Sequence, residues 1–412
     1  MVDIAYCRAL SVLVAATLIA PHSVVIPAYA VWAALVWWRH GRTSRALHAG
    51  GITSFTLATV AVLLSALASL SVRTVDIEGL RLAAWFGLAA LIAGTVRVLP
   101  SGREASNALG WGATWGASLA GVTAMIDIGV LGAPRAEGFT GNAIVFGNLA
   151  LVLGAVAWWL GPRRWAVPAV AMALVASMLS GSRGGWLAVP VLAGLALADH
   201  RRRGGTVPLG RIATAAVGLT AAVVLMGGGM PVERLQAALN DVTDYMGAEA
   251  PEPATGTSIG ARFEAWRAAG EVIRDHPLLG VGWGNLGEAF DAQVADGSRH
   301  PRIATFTHAH HHLLGALASA GIVGLMTHVA VLAVPAWWCR RAWRSDSASA
   351  RRLGGLGLAV VGAYVVFGQT EAIFDDGIAV ALYALVTGVV LRHLDDLVRR
   401  RTAEQGLTAS PR

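Results

Sequence analysis

Long apolar runs alternate with short polar segments along most of the chain. A helix that crosses a membrane needs about 20 mainly apolar residues, within a range of about 17–25. Runs of this kind predict twelve membrane spans, near 4–20, 22–38, 52–72, 79–98, 107–127, 140–160, 165–180, 185–199, 211–230, 313–336, 354–369 and 377–392. Pro21 and His22 divide the first two, which are short, so a single bent element is the alternative interpretation there.

Composition favours the same class of protein. The chain has 412 residues, of which 55% are hydrophobic and 14% are charged, whereas soluble domains carry about 25% charged residues. We therefore expect an all-α polytopic membrane protein. The two cysteines, Cys7 and Cys339, lie at the ends of apolar segments and imply no disulfide framework. The first apolar run lacks a small-residue cleavage site, which indicates an uncleaved anchor.

The charges predict how the chain is oriented in the membrane. The net charge is +7, and all 32 basic residues are arginine. With the N-terminus inside, 22 of the 32 arginines fall in cytoplasmic segments, and only four fall in short outer loops. This bias predicts that both termini are cytoplasmic. The arginines form no patch interleaved with aromatic residues, so nucleic acid is not an expected partner.

Four regions follow from the predicted spans. They are an N-terminal transmembrane bundle of about nine helices (1–230), a periplasmic loop domain (231–307), a set of C-terminal transmembrane helices (308–398) and a cytoplasmic tail (399–412). Within the loop domain, the spacing of apolar residues predicts one helix over 231–246 and a second that Ser258 caps.

Arg183 stands out among the outer arginines. It lies in the short hairpin Ser180-Gly-Ser-Arg-Gly-Gly-Trp186 between two spans. The glycines allow a close approach of the backbone to a ligand, and a guanidinium at this boundary suits a phosphate or pyrophosphate. The alternative is an arginine whose stem covers apolar surface at a helix end.

Arg262 is the second candidate. It falls in the first turn of the predicted loop helix, where the helix dipole disfavours a cation, so it needs an acidic partner or a bound anion. Its neighbour Arg267 can pair with Glu264 or Glu271 at helical spacing, which makes Arg267 structural.

Four histidines, His308, His310, His311 and His312, fall within five residues. One neutral imidazole can act as a general base near neutral pH. A helical 308/311/312 face could instead bind a metal, and solvated histidines are the third interpretation. The metal interpretation lacks a CxxC or HExxH partner motif.

A short outer loop near the last span carries three carboxylates: Glu371, Asp375 and Asp376. Carboxylate oxygens can bind a divalent ion, but acids in an outer loop are also common. We expect no metal and no cofactor.

Three segments together resemble signatures of the O-antigen ligase and polymerase superfamily. They are Ser182-Arg-Gly-Gly-Trp186 for its membrane-edge arginine, Gly260-Ala-Arg-Phe-Glu-Ala-Trp266 with Asp275-His-Pro-Leu-Leu-Gly-Val-Gly-Trp-Gly284 for its long loop, and His310 with Gly321-Ile-Val-Gly324 for its periplasmic histidine motif. The resemblance covers residues from roughly 150 to 330.

This resemblance implies a C-type glycosyltransferase fold in the bacterial inner membrane, with the active site facing the periplasm. The implied donor is a glycan linked to undecaprenyl pyrophosphate. We favour an O-antigen ligase that transfers the glycan to lipid A–core, since the chain has one long outer loop and no large domain after the last span. The alternatives are an O-antigen polymerase or O-linked oligosaccharyltransferase and, from another class, a transporter of lipid-linked glycans.

The resemblance also implies roles for individual residues. His310 would deprotonate the acceptor hydroxyl, and Arg183 and Arg262 would bind the pyrophosphate and stabilise the charge that develops on it. His308 and His311 would contact the substrate. The family usually has Asn, Ser or Gln after the histidine, whereas this chain has His311. The partner that holds the catalytic histidine is therefore left open.

Overall fold

A computed structural model describes residues 2–41, 50–70, 76–204 and 258–408. These residues form thirteen α-helices, and none of them lies in a β-strand. The predicted span 211–230, the predicted loop helix 231–246 and the last four residues lie outside the described residues.

The helices, in chain order, are α1 (Val2–Ala16), α2 (His22–His40), α3 (Gly51–Leu70), α4 (Ile77–Val98), α5 (Gly102–Gly129), α6 (Ala143–Leu160), α7 (Arg163–Leu179), α8 (Arg183–Arg202), α9 (Ser258–Asp275), α10 (Leu286–Ala295), α11 (His312–Trp343), α12 (Ala348–Phe367) and α13 (Gly377–Thr408). Two short 3₁₀ helices cover Pro301–Thr305 and Ile373–Asp375. Each predicted span except 211–230 falls on one of these helices.

The chain is a multi-pass membrane protein. Six of the described helices are long and apolar enough to cross a membrane: α3, α4, α6, α11, α12 and α13. The count of twelve spans stays a prediction. The structure separates α1 from α2, so the first two predicted spans are two helices that meet at Pro21, the N-cap of α2.

Two boundaries differ from those predicted. The predicted tail begins at residue 399, but α13 continues to Thr408. Residues with high helix propensity, namely arginine, glutamate and alanine, extend the helix beyond the apolar run. Arg183 is the first residue of α8, whereas the sequence placed it inside a hairpin.

The core is a continuous apolar cluster to which most of the bundle helices contribute. Helix α6 is buried along nearly its whole length, with α5 and α7 packed against it. Small residues allow these backbones to approach closely. A Cβ atom at Gly110 of α5, for example, would lie 2.4 Å from the carbonyl oxygen of Leu160.

Helix α11 is broken and folds back on itself. Ala320 and Gly321 have non-helical backbone angles, and Gly321 has a φ of 63°. The ring centroids of His312 and His328 lie 5.0 Å apart, whereas the same pair in a straight helix would be about 24 Å apart. The prediction of one continuous span over 313–336 is therefore wrong, because the backbone reverses within it.

The loop segment 277–284 is hydrogen-bonded into this break. Ile322 N donates to the carbonyl of Pro277 at 2.9 Å, and Gly282 N donates to the carbonyl of Ser319 at 2.8 Å. A Cβ at Gly321 would lie 2.1 Å from the carbonyl carbon of Leu278, so only glycine fits there. The loop thus satisfies backbone groups that the broken helix leaves without partners, as non-helical backbone in a membrane protein requires.

A second, smaller apolar cluster joins α9, α10 and the first turns of α11. It includes Ala265, Val272, Phe290 and Ala318. The described part of the loop domain therefore packs on the end of the bundle where α11 begins. We call this end, which carries residues 306–312 and 368–376, the histidine end. The opposite end, which carries Arg202, Arg340 and Arg392, is the arginine end.

Candidate active site

The histidines lie in an irregular segment that precedes α11. His310 has a φ of 49°, and it is the one non-glycine residue with a positive φ within the described ranges. Its backbone N–H donates to Nδ1 of His308 at 3.2 Å, and the indole N–H of Trp266 donates to the carbonyl of Ala309 at 2.9 Å. The predicted helical face of 308, 311 and 312 is therefore wrong, because α11 begins only at His312.

One carboxylate joins two of the histidines. Nδ1 of His310 lies 3.4 Å from Oε2 of Glu371, and Nε2 of His308 lies 3.6 Å from Oε1. The two imidazole rings are 4.2 Å apart, and Phe306 contacts the His310 ring edge-on at 4.6 Å. A left-handed backbone costs about 1–3 kcal/mol for a residue other than glycine and is found most often at functional sites. Here it turns the His310 ring towards Glu371.

The electrostatics keep Glu371 ionised. Burial raises the pKa of this carboxyl, but the hydrogen bond to His310 and the charge of Arg262 lower it by a larger amount, to a value below the usual one. Burial, with the neighbouring charge of His310, lowers the pKa of His308 to about 4. His308 is therefore neutral at physiological pH, beside a buried anion.

The other two histidines have structural contacts. His311 is the N-cap of α11, and its Nδ1 accepts a hydrogen bond from the backbone N–H of Leu314 at 3.2 Å. Burial lowers the pKa of His311, which a hydrogen bond with Gln369 opposes. His312 is 3% exposed, and its backbone N–H donates to the carbonyl of Gly368 at 2.8 Å.

The structure brings Arg183 and Arg262 to the same cluster. Burial lowers the pKa of the Arg262 guanidinium, the carboxylate of Glu371 opposes this, and the charge of Arg183 adds to it. Arg183 is held at the N-terminus of α8 next to the loop that carries Glu371. A Cβ at the adjacent Gly184 would lie 2.0 Å from the hydroxyl of Thr370.

Arg267, on the same helix as Arg262, is structural as predicted. It forms an ion pair with Glu264 at 3.2 Å and is 56% exposed. The other predicted partner, Glu271, pairs with Arg299 instead. Arg262 and Arg267 are about one and a half turns apart on the same helix. Arg262 lies inside the site, whereas Arg267 lies at the surface.

A cavity of about 200 Å³ opens beside the cluster. Four carboxylates belong to its lining: Glu78, Glu371, Asp375 and Asp376. Burial and the charges of Glu371 and Glu78 raise the pKa of Asp375 to about 8. The carboxylate of Asp376 caps α13 by accepting from Ala379 N at 2.9 Å.

Two buried ring nitrogens in the cavity lining have no hydrogen-bond partner. They are Nε1 of Trp283 and Nε2 of His312, on residues that are 2% and 3% exposed. Nε2 of His328, next to both rings, has no partner either. An unsatisfied buried donor or acceptor costs about 1–3 kcal/mol, so a bound polar ligand has groups to satisfy here.

The possible metal ligands differ from those considered in the sequence. Nitrogen or oxygen atoms of His308, His310 and Glu371 all lie within 4.8 Å of one another. This is an arrangement in which an ion such as Zn²⁺ fits. The absence of a metal from the reaction remains a prediction.

Sequence reasoning gave Glu371 too little weight and overlooked Trp283 and His328. Glu371 is separated from His310 by 61 positions, and an acid in a short loop carries no pattern that would single it out. His328 could have been noticed as a histidine within an apolar run.

Comparison with known proteins agrees with this part of the structure. Residues 168–329, about two-fifths of the chain, match the family model described as O-Antigen ligase. The matched region contains Arg183, Arg262 and His310. An uncharacterized protein of Haemophilus influenzae is 28% identical over 171 residues, which are 41% of this chain and 42% of that protein. The alignment thus spans less than half the length of that relative.

Proposed function

We propose that this chain, a member of the O-antigen ligase and polymerase superfamily, is an O-antigen ligase with a C-type glycosyltransferase-like fold. In this proposal it transfers a glycan from undecaprenyl pyrophosphate to a hydroxyl of lipid A–core, at the periplasmic face of the bacterial inner membrane. The observation that carries the proposal is the meeting of Arg183, Arg262 and the pair His310–Glu371 at one end of the bundle.

The two arginines are suited to the leaving group. Like charges repel, so two nearby guanidiniums are more stable with an anion between or beside them. A pyrophosphate gains negative charge as the glycosyl bond breaks, and fixed cations stabilise this transition state more than the ground state. Each guanidinium can also donate two parallel hydrogen bonds to phosphate oxygens.

His310 and Glu371 are suited to deprotonate the acceptor. With Nδ1–H donated to the Glu371 carboxylate, the other ring nitrogen, Nε2, is free of a proton and can accept one. The acceptor oxygen attacks the anomeric carbon, and its proton passes to Nε2 of His310. The bond from that carbon to the phosphate oxygen breaks, and its electron pair leaves with the lipid pyrophosphate.

In this reaction Glu371 is a positioning residue that fixes the tautomer and stabilises the imidazolium, as the acid does in a Ser-His-Asp triad. His308 is neutral and adjoins the cavity, so it contacts the acceptor. His311 caps α11 through its side chain and supports the site structurally. The substrate-binding role proposed for His311 on sequence grounds therefore has no support from its contacts.

An O-antigen polymerase is the second candidate, since it uses the same donor and the same chemistry. The resemblance covers both, and a single long outer loop favours the ligase. A transporter of lipid-linked glycans is less well supported, because the 200 Å³ cavity lies at one end of the bundle beside the histidines.

Lipopolysaccharide from a deletion strain separates these candidates. Loss of all long O-antigen chains is expected for the ligase, whereas cores capped with a single repeat would indicate the polymerase. Complementation with the wild-type chain should restore long chains, and the R262A variant at equal expression should not. Normal lipopolysaccharide in the deletion strain would contradict both candidates.

A further inference from the structure

We infer that the cavity beside His308 is the acceptor site and that it accepts a hydroxylated sugar ring carrying neither phosphate nor carboxylate. The inference rests on the proposed glycosyl transfer and specifies its acceptor. It concerns the cavity lined by Glu78, Asp375, Asp376, Trp283 and His312.

Arg183 and Arg262 lie outside the lining of the cavity. His308 and Glu371, by contrast, belong to it. The His–Glu cluster therefore has the arginines as electrostatic neighbours and, in addition, adjoins a cavity. An in-line glycosyl transfer needs this arrangement, because the acceptor hydroxyl attacks the anomeric carbon from the side opposite the departing pyrophosphate.

The charge of the cavity selects against anions. Its lining holds four acidic side chains and one arginine, Arg81, which is paired with Glu78. Glu371 is ionised at neutral pH, whereas Asp375 is neutral at pH 7 and adds a negative charge above about pH 8. A phosphate or carboxylate on the acceptor would lose its hydration and face like charges, which costs affinity. Sugar hydroxyls, by contrast, donate hydrogen bonds to carboxylates, and charge-assisted bonds of this kind are among the strongest.

The two unpartnered ring nitrogens point to a polar ligand independently of the acids. Nε1 of Trp283 can only donate, and Nε2 of His312 can donate or accept. Trp283 and His312 both line the cavity, and their nitrogens are buried without a protein partner. A sugar ring supplies acceptors and donors around its edge and an apolar face, and a cavity of about 200 Å³ has room for one such ring.

The test compares sugar acceptors that differ in charge and includes one acceptor that is not a sugar. The purified full-length chain is assayed with a lipid-pyrophosphate-linked glycan as donor. The acceptors are an alkyl glucoside, its 2-amino analogue, its 6-phosphate and a serine-containing peptide. We expect the glucoside and the amino sugar to be used, and the KM of the 6-phosphate to be at least about tenfold higher, which corresponds to about 1.4 kcal/mol.

Variants then connect the selectivity to the cavity. In assays above pH 8, where Asp375 is charged, D375N and E78Q should each raise the KM of the neutral glucoside. Both should also reduce the difference between this KM and that of the 6-phosphate, while the KM of the donor is unchanged. E137Q is the matched control, since Glu137 is an exposed acid at the same end of the bundle outside the cavity. E137Q should leave the KM of each acceptor and of the donor at the wild-type value.

Three results would overturn the acceptor assignment while leaving transfer itself intact. They are equal KM values for the glucoside and its 6-phosphate, a change in donor KM in both D375N and E78Q, and preferred use of the peptide. Absence of transfer to any acceptor, or transfer that survives H310N, would instead contradict the proposed function and the inference together.

Discussion

The two ends of the bundle use the same residue types in opposite ways. At the arginine end, charged side chains connect helices to one another. Arg392 pairs with Asp396 and donates to the carbonyl of Leu99 at 2.9 Å. Asp395 caps α3 by accepting from Gly51 N at 3.0 Å. These acids and this arginine satisfy helix termini and each other, which is what stability requires.

At the histidine end the arrangement costs stability. A histidine has a left-handed backbone, two arginines are neighbours, and ring nitrogens are buried without partners. Departures from local rules in an otherwise consistent fold are expected at functional sites. We therefore expect substitutions of His310, Glu371, Arg183 and Arg262 to reduce transfer, whereas matched substitutions outside the site reduce stability or have no effect.

The largest effect is expected at His310. We expect H310A and H310N to reduce transfer by about 10²–10⁴-fold, as the loss of a general base typically does. Asparagine tolerates the left-handed backbone, so H310N separates the imidazole from the strain at this position. H276N, at an exposed histidine of the same loop domain, is the control. Initial rates of glycan transfer at equal protein concentration are the measurement, and an active H310N enzyme would exclude the general-base role.

The second largest effect on transfer is expected at Arg183 and Arg262. R183A and R262A should each reduce kcat by about 10²–10³-fold, by analogy with the removal of one donor to a developing anion. Lysine should restore only part of the activity, because it lacks the planar fork. R267A serves as the control on the same helix, because Arg267 is 56% exposed and paired with Glu264. Comparable losses in R267A and R262A would show that the effect is structural.

Glu371 should have a smaller effect. E371Q keeps the shape but removes a charged hydrogen-bond partner worth about 1.5–3 kcal/mol, so we expect a loss of about 10–100-fold. E371D keeps the negative charge and should retain part of the activity that E371Q loses. Equal losses in E371D and E371Q would indicate a structural role alone.

The raised pKa of Asp375 predicts that acceptor binding depends on pH. Its pKa of about 8 means that the carboxyl is neutral at pH 7 and becomes charged as the pH rises. The charged groups that act on it are Glu371, Glu78, Asp376 and Arg81. Above about pH 8 the cavity gains a negative charge. The KM of an anionic acceptor should therefore rise more steeply there than that of a neutral one, and D375N should abolish this difference.

The smallest expected effect is that of chelation. Transfer should continue in excess EDTA, because two arginines neutralise the leaving group. Activity that is lost in EDTA and restored by one divalent ion would reverse this prediction. His308, His310 and Glu371 would then be the ligands to mutate first, since their ligand atoms lie within 4.8 Å of one another.

The sequence predicted the helices well because apolar runs of membrane length have few alternative structures. It was less informative at the site, where contacts are distant in sequence. The residue after His310 is an example. Asparagine and serine, two of the family's usual residues there, are common helix N-caps, and His311 caps α11. This chain differs from the family at residue 311, and the contacts of His311 are those of a helix cap. We therefore expect H311N to keep activity.

The reversal in α11 could not be predicted from the sequence for a related reason. Residues 313–336 are apolar throughout, and hydropathy does not record direction. Gly321 marks the break, with a φ of 63°, but a glycine in an apolar helix is common. Only the hydrogen bonds to 277–284 show why this position needs a glycine.

The docking of residues 277–284 into the break of α11 has a consequence for biogenesis. Ile322 and Ser319 form backbone hydrogen bonds with this segment, which in the proposed topology must first be carried across the membrane. A nascent chain whose loop is still on the ribosome side therefore lacks the reversal that sets His312 beside His328. If the proposed function and topology hold, completion of the site is tied to translocation, and a half-inserted chain has no assembled site with which to consume lipid-linked glycan on the cytoplasmic side.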